Sequence, residues 1–267
     1  MHEKVRKAMR WFFLGKTDSK PLKVINIIVD LFVVYFLLVW FVPGIFFRNS
    51  YTAGNITFKC AAYARYDGGA DEAAFRAACD EAMRVISGSE LYDADRKISI
   101  FFCPNHAAYK FLAVNPFESS IGFKRVLTPF NVIVVNKTSF KEMSAHGGAK
   151  ANNERQLTSL LSHETAHVFA RKSGLVNFRT PTWKEEGICE YVAGESSFPV
   201  QEGWQHFLAG ETVNSHSYDY FLYRVAVTYL HDVEGLSFSA IVADKRKQQE
   251  VLDSARRHVQ ESGSCLF

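Results

Sequence analysis

The chain has 267 residues, of which 48% are hydrophobic and 22% charged, and its formal net charge is +3 at pH 7. This composition is typical of a folded protein and excludes a disordered or collagen-like chain. Because the first 23 residues hold seven lysines and arginines against two acids, the rest carries no basic excess, and we expect no nucleic-acid partner.

An apolar segment at 24–47 follows the basic leader 1–23, and only Asp30 and the pair Pro43-Gly44 interrupt it. About 20 helical residues suffice to cross a bilayer core of about 30 Å. The segment is longer than the core of a cleaved signal peptide, and no small-x-small cleavage site follows it. We therefore predict a transmembrane signal anchor at 24–47. The leader would stay in the cytoplasm and the remainder would be extracytoplasmic, on the periplasmic or extracellular side.

Residues 50–267 are predicted to form one α+β domain with two lobes. The first lobe mixes strands and helices, and His146-Gly147-Gly148 is expected to form a flexible loop after it. The predicted strands are 55–59, 97–103 and 131–136, and the predicted helices are 71–86 and 105–112. None of the five cysteines has Cys-x-x-Cys spacing, which argues against a cysteine-bound structural metal.

The most informative motif is His163-Glu164-Thr165-Ala166-His167. Two histidines four apart lie on one face of a helix, so both can bind one zinc ion while Glu164 acts beside it as a general base. Leucines at helical spacing around the motif predict that this helix is largely buried. A buried His-Glu-His cluster without a metal would be costly to desolvate, which favours metal binding.

A second segment, from Trp183 to Tyr191, reads WKEEGICEY. Thr180 is predicted to cap a helix there, with Pro181 in its first turn. Eighteen residues separate His167 from Glu186, which is a candidate third ligand, and Glu190 would accept the N–H of a ligating histidine. We interpret Glu185 as an ordinary surface acid and Cys189 as a buried packing residue. Three protein ligands leave room for water, as in catalytic zinc sites.

The HExxH motif followed after eighteen residues by a glutamate within W-x-x-E-G-x-x-E-Y resembles the gluzincin metallopeptidases. The similarity is to the thermolysin-like catalytic domain of aminopeptidase N relatives and covers about residues 150–235. It implies a zincin-like two-lobed fold and one Zn²⁺ per chain. The implied roles are zinc ligands His163, His167 and Glu186, general base Glu164, and Glu190 as the partner of a ligating histidine.

The resemblance also implies a tyrosine that stabilises the oxyanion, and its spacing selects Tyr220, with Tyr218 and Tyr223 as alternatives. In gluzincin-like folds the strand before the metal helix lies at the edge of the cleft and pairs with extended substrate. That place belongs to strand 131–136, although its pattern fits a fully buried strand equally well. The Gly-x-Met-Glu-Asn element, with which aminopeptidases hold a free amino terminus, is missing from this sequence, so we expect an endopeptidase or an enzyme with narrow substrates rather than an exopeptidase.

The second lobe is predicted to be helical. Helices are expected at 201–208, at 218–232 with a stop at Val233-Glu234-Gly235, and at 244–260. The basic residues of the last segment are interpreted as the solvated face of its helix: Lys245, Arg246, Lys247, Arg256 and Arg257.

The sequence thus predicts a membrane-anchored zinc peptidase that acts on peptides or proteins. One alternative is a catalytically silent, membrane-tethered binding or scaffold protein with a peptidase fold. A second is a structural metal protein, which needs a fourth ligand, nominally His206, His216 or His231. A third is a zinc hydrolase that acts on a bond other than the peptide bond, since fold does not fix substrate.

Overall fold

The computed structural model of the chain describes residues 20–41, 43–66, 71–113, 120–124, 131–147 and 154–267. The fold is α+β, as predicted, with a mixed five-stranded sheet, a small three-stranded sheet and a set of C-terminal helices. Most of the predicted leader, residues 1–19, lies outside the described residues.

The predicted apolar anchor, 24–47, is divided between two elements. Helix α1 covers Lys20–Phe41, and a one-turn 3₁₀ helix covers Pro43–Phe46. Proline cannot continue a helix, and Phe47 beyond it is buried with its ring 4.9 Å from that of Phe101. The prediction of one segment up to residue 47 was therefore wrong at its C-terminal end. Counting only residues that the structure describes, no helix is both long enough and apolar enough to cross a membrane.

The main sheet has the strand order β1-β2-β3-β5-β4. Its three central strands are parallel, and both outer strands are antiparallel to their neighbours. The strands are β1 Asn49–Ala53, β2 Ile56–Cys60, β3 Ile98–Phe102, β4 Gly122–Lys124 and β5 Val132–Val135. The predicted strands correspond to β2, β3 and β5, and β1 and β4 were not predicted.

The sequence pattern left open whether β5 is an edge strand or a fully buried one, and the structure shows it to be fully buried. All four of its residues are buried, and it pairs with β3 on one side and β4 on the other. The expectation that 131–136 lines the cleft as an edge strand was therefore wrong. The edge position next to it belongs to β4.

Two helices pack on this sheet, close to their predicted positions. Helix α2 covers Glu72–Ser87, and the side chain of Asp71 caps it by accepting the N–H of Ala74 at 2.8 Å. Helix α3 covers His106–Ala113 and packs on the other face of the sheet with Val39 of α1.

The small antiparallel sheet has the order β6-β7-β8 and consists of Thr138–Ser139, Ser144–His146 and Glu154–Gln156. The loop predicted at 146–148 was wrong for His146, which ends β7 and stands opposite Glu154 in the register. Gly148 lies outside the described residues.

The C-terminal half is helical, as predicted. The helices are α4 Leu157–Lys172, α5 Thr182–Ala193, α6 Val200–Ala209, α7 His216–Thr228, a π-helical turn Tyr229–Val233, α8 Phe238–Ala243 and α9 Gln248–Ser262. The residue that caps α5 is Pro181, not Thr180, whose Oγ1 instead accepts the N–H of Asn177 within the preceding turn. Gly235 has φ of 70°, which confirms the predicted stop.

The last helix begins at Gln248, so its predicted start at residue 244 was wrong. The segment before it is held by Arg246, which pairs with Glu234 and with Asp244 at 2.6 Å each. The ammonium of Lys184 donates to the backbone carbonyl of Asp244. Arg246 is therefore bound within the fold rather than on a solvated helix face.

Two large hydrophobic clusters meet at helices α4 and α5. The leucines of α4 belong to the cluster beneath the main sheet, whereas Trp183 and Ile188 of α5 belong to the cluster of the C-terminal helices. The two predicted ligand segments thus lie in neighbouring helices, one from each cluster.

Candidate metal centre

Helix α4 is buried along nearly all of its length, as the leucine spacing predicted. It holds His163, Glu164 and His167 at 5%, 8% and 7% exposure. The rings of the two histidines lie 4.8 Å apart between centroids at an angle of 80°. The i, i+4 spacing therefore brings both imidazoles to one side of the helix, as the geometry of an α-helix requires.

Glu186 on α5 completes a group of three converging donor atoms. Its Oε2 lies 3.4 Å from Nε2 of His163 and 3.2 Å from Nε2 of His167. The three ligand atoms all lie within 4.8 Å of one another. Although Oε2 is buried, it makes no hydrogen bond of acceptable geometry. A buried acceptor aimed at two imidazole nitrogens without bonding to them suits a shared metal, and two imidazoles with one carboxylate suit zinc.

Glu190 lies against the first histidine, for which the sequence predicted it as a hydrogen-bond acceptor. Its Oε1 lies 2.9 Å from Nδ1 of His163, at an angle that makes the contact an ion pair rather than a hydrogen bond. The carboxylate is fully buried, and Arg155 of β8 donates to both of its oxygens at 2.9 and 3.4 Å. The arginine compensates a carboxylate that would otherwise be costly to bury.

Glu185 supports the second histidine, and its interpretation as a surface acid was wrong. It is 7% exposed, and its Oε1 lies 2.9 Å from Nδ1 of His167. Arg171 donates to both oxygens of this carboxylate at 2.8 and 3.0 Å. A signal was present in the sequence, because Arg171 follows His167 by four residues and so lies on the same face of α4.

The carboxylates shift the proton equilibria of the group. Burial would lower the pKa of His163, but its contacts with Glu186 and Glu190 outweigh burial and raise it. Burial would also lower the pKa of His167, but Cys189 and Glu185 raise it well above its ordinary value. Burial would raise the pKa of Glu186, but the two histidines outweigh burial and hold that pKa well below its usual range. Because zinc requires neutral imidazoles, its binding must release protons and weaken as the pH falls.

A cavity of about 170 Å³ opens beside the group, lined by His163, Glu164, Tyr220 and the start of β4. The side chain of Glu164 lies against Gly122, where an added Cβ would stand 3.2 Å from Oε1. The backbone of the edge strand therefore forms the wall opposite the predicted base.

A further wall residue connects the cavity to helix α3. Ser120, which lines the cavity, shares a hydrogen bond of 2.6 Å with the hydroxyl of the buried Tyr109. The carbonyl of Ser120 accepts an N–H from the side chain of Asn136 at 2.8 Å. These bonds fix the start of the edge strand relative to α3.

Tyr220 is the tyrosine that reaches the site. Its ring centroid lies 6.1 Å from that of His163. Burial, followed by the charges of Glu186 and Glu190, raises its pKa, so the phenol keeps its proton and can donate it in a hydrogen bond. Of the alternatives, Tyr218 is a core residue stacked against Phe221. Tyr223 touches Tyr220, with 5.7 Å between ring centroids, but does not line the cavity.

Among the described residues, no fourth ligand joins the group of three. The nominal candidates are engaged elsewhere: His206 pairs with Glu211 at 2.6 Å and His231 with Glu90 at 3.1 Å. His216 lines the cavity with its ring tilted against that of Tyr220, 4.8 Å between centroids, and it is not part of the group of three. The structure therefore lends no support to a closed structural site.

The cysteines contribute no cross-link: all five are free, and Cys265 alone of them is exposed. The predicted burial of Cys189 is confirmed. Beside the metal cavity, a second cavity of about 560 Å³ shares Ser197 with it and is lined by Arg224 and Pro199. The cavity beside the candidate ligands therefore adjoins a second one.

No known protein family matches the chain, and no curated protein matches it either. The gluzincin resemblance thus rests on the two ligand segments and on the arrangement of their side chains.

Proposed function

We propose that the chain is a zinc-dependent peptidase of the gluzincin type, with a zincin-like two-lobed domain. The observation that carries the proposal is the convergence of His163, His167 and Glu186 on one point, with Glu164 beside them at an open cavity. Each histidine is held by a buried carboxylate with its own arginine. Such supporting carboxylates are typical of metal-binding histidines.

Zinc, when bound, would polarise the scissile carbonyl and lower the pKa of a water molecule towards about 7. Glu164, beside the candidate ligands, would serve as the general base that accepts a proton and delivers it to the leaving amine. Tyr220, which lines the same cavity, would donate a hydrogen bond to the oxyanion. Glu185 and Glu190 keep the imidazoles oriented, so the site needs little reorganisation.

The substrate is proposed to lie along β4. Among the described strands it pairs with β5 alone, and its first residue, Gly122, lines the cavity. An unpaired strand edge can add an extended peptide by backbone hydrogen bonds. Since a paired peptide can extend past the site at both ends, this mode suits an endopeptidase.

We further propose that α1 anchors the protein in a membrane. Its described side chains are mostly apolar and exposed, including Ile27, Ile28 and Leu31 at 58%, 59% and 64%. With the basic leader 1–23 on the cytoplasmic side, the peptidase domain would be extracytoplasmic.

The decisive experiment compares the full-length protein with its Glu164→Gln variant on a quenched-fluorescence peptide library. Because the amide cannot accept the proton of water, we expect cleavage to fall by about 10²- to 10⁴-fold. Zinc content, measured by mass spectrometry, should stay at one ion per chain. The matched control is Glu261→Gln, which changes an exposed carboxylate at the end of α9 and should cleave like the wild type.

Cleavage by Glu164→Gln at the wild-type rate, with normal zinc content, would refute the mechanism. If the wild type holds one zinc ion yet shows no chelator-sensitive cleavage, the silent binding protein is the better description. If the wild type does cleave, its substrates can be identified by comparing membrane and secreted proteomes in the presence of the wild type and of Glu164→Gln. Substrates are the proteins that show new amino termini with the wild type alone.

A further inference from the structure

Helix α1 is not a free tether, because its C-terminal part is packed on the domain. The ring of Tyr35 lies 4.7 Å from that of Phe111 on α3, and its hydroxyl donates to the carbonyl of Phe111. One turn further on, Val39 is fully buried in the cluster with Phe101 and Leu112. From Tyr35 onward, the helix and the domain therefore lie side by side.

This packing leaves too little free helix to cross a membrane alone. At about 1.5 Å per residue, the apolar stretch 24–41 is about 27 Å long, close to the bilayer core of about 30 Å. The part before the domain contact, 24–34, is only about 16 Å long. If the apolar stretch occupies the bilayer, its last part, about 10 Å long, brings the adjoining surface of the domain in with it.

That adjoining surface is apolar where a soluble surface would be polar. Ile45, Phe46 and Phe111 are 55%, 38% and 41% exposed, and the rings of Phe46 and Phe111 meet edge to face at 5.2 Å. With the exposed side chains of α1 they form one continuous apolar patch. Patches of this kind mark interaction surfaces.

Three cationic residues lie near the patch in space or in sequence. Arg65 lines a cavity of about 310 Å³ together with Phe46 and Phe111. The ammonium of Lys59 lies beside Gly44, and Lys110 precedes Phe111 on α3. Within the described part of the chain, no carboxylate pairs with Arg65 or Lys110. An apolar centre with an unpaired basic rim matches a bilayer whose headgroups are anionic.

We infer that the surface formed by Ile45, Phe46 and Phe111, which we term the lipid face, is immersed in the bilayer leaflet next to the domain, with Arg65 at the anionic headgroups. This inference rests on the proposed anchoring by α1 and adds that the domain itself enters the leaflet. The depth of about 10 Å is within the range found for interfacial protein surfaces.

The test is nitroxide labelling of the full-length protein in vesicles of phosphatidylcholine and phosphatidylglycerol. In a Cys265→Ser background, whose remaining cysteines are buried, labels are placed by Ile28→Cys, Phe46→Cys, Phe111→Cys and Phe178→Cys. Phe178 is the matched control, since it is 87% exposed in the loop between α4 and α5. We expect the ratio of oxygen to nickel-chelate collisions at 46 and 111 to approach that at 28 and to exceed that at 178 several-fold.

The outcomes separate the two proposals. A water-like label at 28 overturns the anchoring by α1, whatever the peptidase activity. A lipid-like label at 28 with water-like labels at 46 and 111 overturns the lipid face alone. Ile45→Cys replaces either aromatic variant that fails to fold, as judged by thermal unfolding. Arg65→Glu should raise nickel accessibility at 111, whereas Arg179→Glu, beside the control position, should not; equal effects would overturn the headgroup contact.

Discussion

Two buried carboxylates, Glu185 and Glu190, each hold one histidine of the candidate metal centre and are each held by an arginine. A buried carboxylate without its cation would be destabilising, and an unheld imidazole would have to be ordered when zinc binds. At the residue scale, two carboxylate–arginine pairs, one for each histidine, therefore hold the imidazoles in place before any metal binds.

Replacing Glu185 tests this support. The Glu185→Ala variant removes the partner of His167 and leaves Arg171 without its carboxylate, so we expect zinc affinity to fall by about 10- to 100-fold. Competition with a fluorescent chelator measures it. Glu261→Ala, at an exposed acid, should bind zinc like the wild type. If Glu185→Ala also binds zinc like the wild type, Glu185 does not support the site and is the ordinary acid that the sequence suggested.

Replacing Tyr220 tests the oxyanion contact. Tyr220→Phe keeps the ring but loses the donor, so kcat should fall by about 100- to 1000-fold while KM and zinc content change little. Tyr223→Phe is the matched control, because its ring touches that of Tyr220 without lining the cavity. If kcat falls further in Tyr223→Phe than in Tyr220→Phe, Tyr223 rather than Tyr220 is the donor to the oxyanion.

At this scale the sequence predicted how the candidate residues of α4 lie relative to one another, because helical spacing alone brings His163 and His167 together and places Glu164 beside them. It did not reveal Arg155 or the role of Glu185, since those contacts depend on how β8 and α5 approach α4. Local periodicity carries no information about which residues distant in sequence become neighbours.

At the scale of elements, Gly187 permits the close packing of α5 on α7. A Cβ at this position would stand 2.6 Å from the carbonyl oxygen of Tyr223 and from Cγ2 of Val227. The carbonyl belongs to the backbone of α7 and cannot turn away, so the two helices would have to separate. Because α5 carries Glu186, their separation would also move a ligand.

Gly187→Ala should therefore lower the free energy of unfolding by about 1–3 kcal/mol, as overpacking does. Urea unfolding measures it. Gly88→Ala is the control: its φ is −78° and an added Cβ would meet its nearest neighbour at an ordinary 3.5 Å. We expect that variant to stay within about 1 kcal/mol of the wild type. Equal effects at both positions would contradict the packing account.

The segment between α8 and α9 is held by the ion pairs of Arg246, and their contribution to stability depends on pH. Hydrogen bonds from Arg246 hold the pKa of Glu234 and of Asp244 below their usual ranges. Since both carboxyls have lowered pKa values in the folded state, their stabilisation is present above the unfolded pKa values of about 4. It is lost as the pH falls through the lowered values.

We expect Arg246→Gln to reduce stability by about 1 kcal/mol at pH 7, a small effect because the ion pairs are partly exposed. The difference from the wild type should shrink as the pH is lowered below about 4 in urea titrations. Arg257→Gln, at an arginine that donates to the hydroxyl of Ser254, should show no such convergence. If the stability difference between the wild type and Arg246→Gln does not change with pH, the ion pairs of Arg246 do not stabilise the fold as described.

Among the elements, the strands with β-branched and aromatic runs were predictable, and the two outer strands were not. β1 reads NSYTA and alternates between half-buried and exposed residues, so it lacks an apolar run. β4 has only three residues, and its position at the edge follows from pairing with β5 rather than from its own sequence. Such strands are specified by tertiary pairing.

At the scale of the whole molecule, the metal centre joins two hydrophobic clusters that pack largely separately. A ligand that binds only the folded state at about 1,000 times its Kd stabilises it by about 4 kcal/mol. At about 2–4 °C per kcal/mol, zinc should raise Tm by roughly 10 °C over the chelated protein in a thermal scan. His163→Ala should abolish this rise; an equal rise in that variant would place the zinc elsewhere.

The hydrogen bond between Tyr109 and Ser120 connects the wall of the metal cavity to the helix that carries the lipid face. A helix is about 10 Å across, so an immersed α3 would place the cavity roughly that far above the lipid. An extended chain covers the same distance in about three residues. A peptidase held in this way would cut membrane proteins at a fixed, short number of residues from the point where they emerge from the lipid.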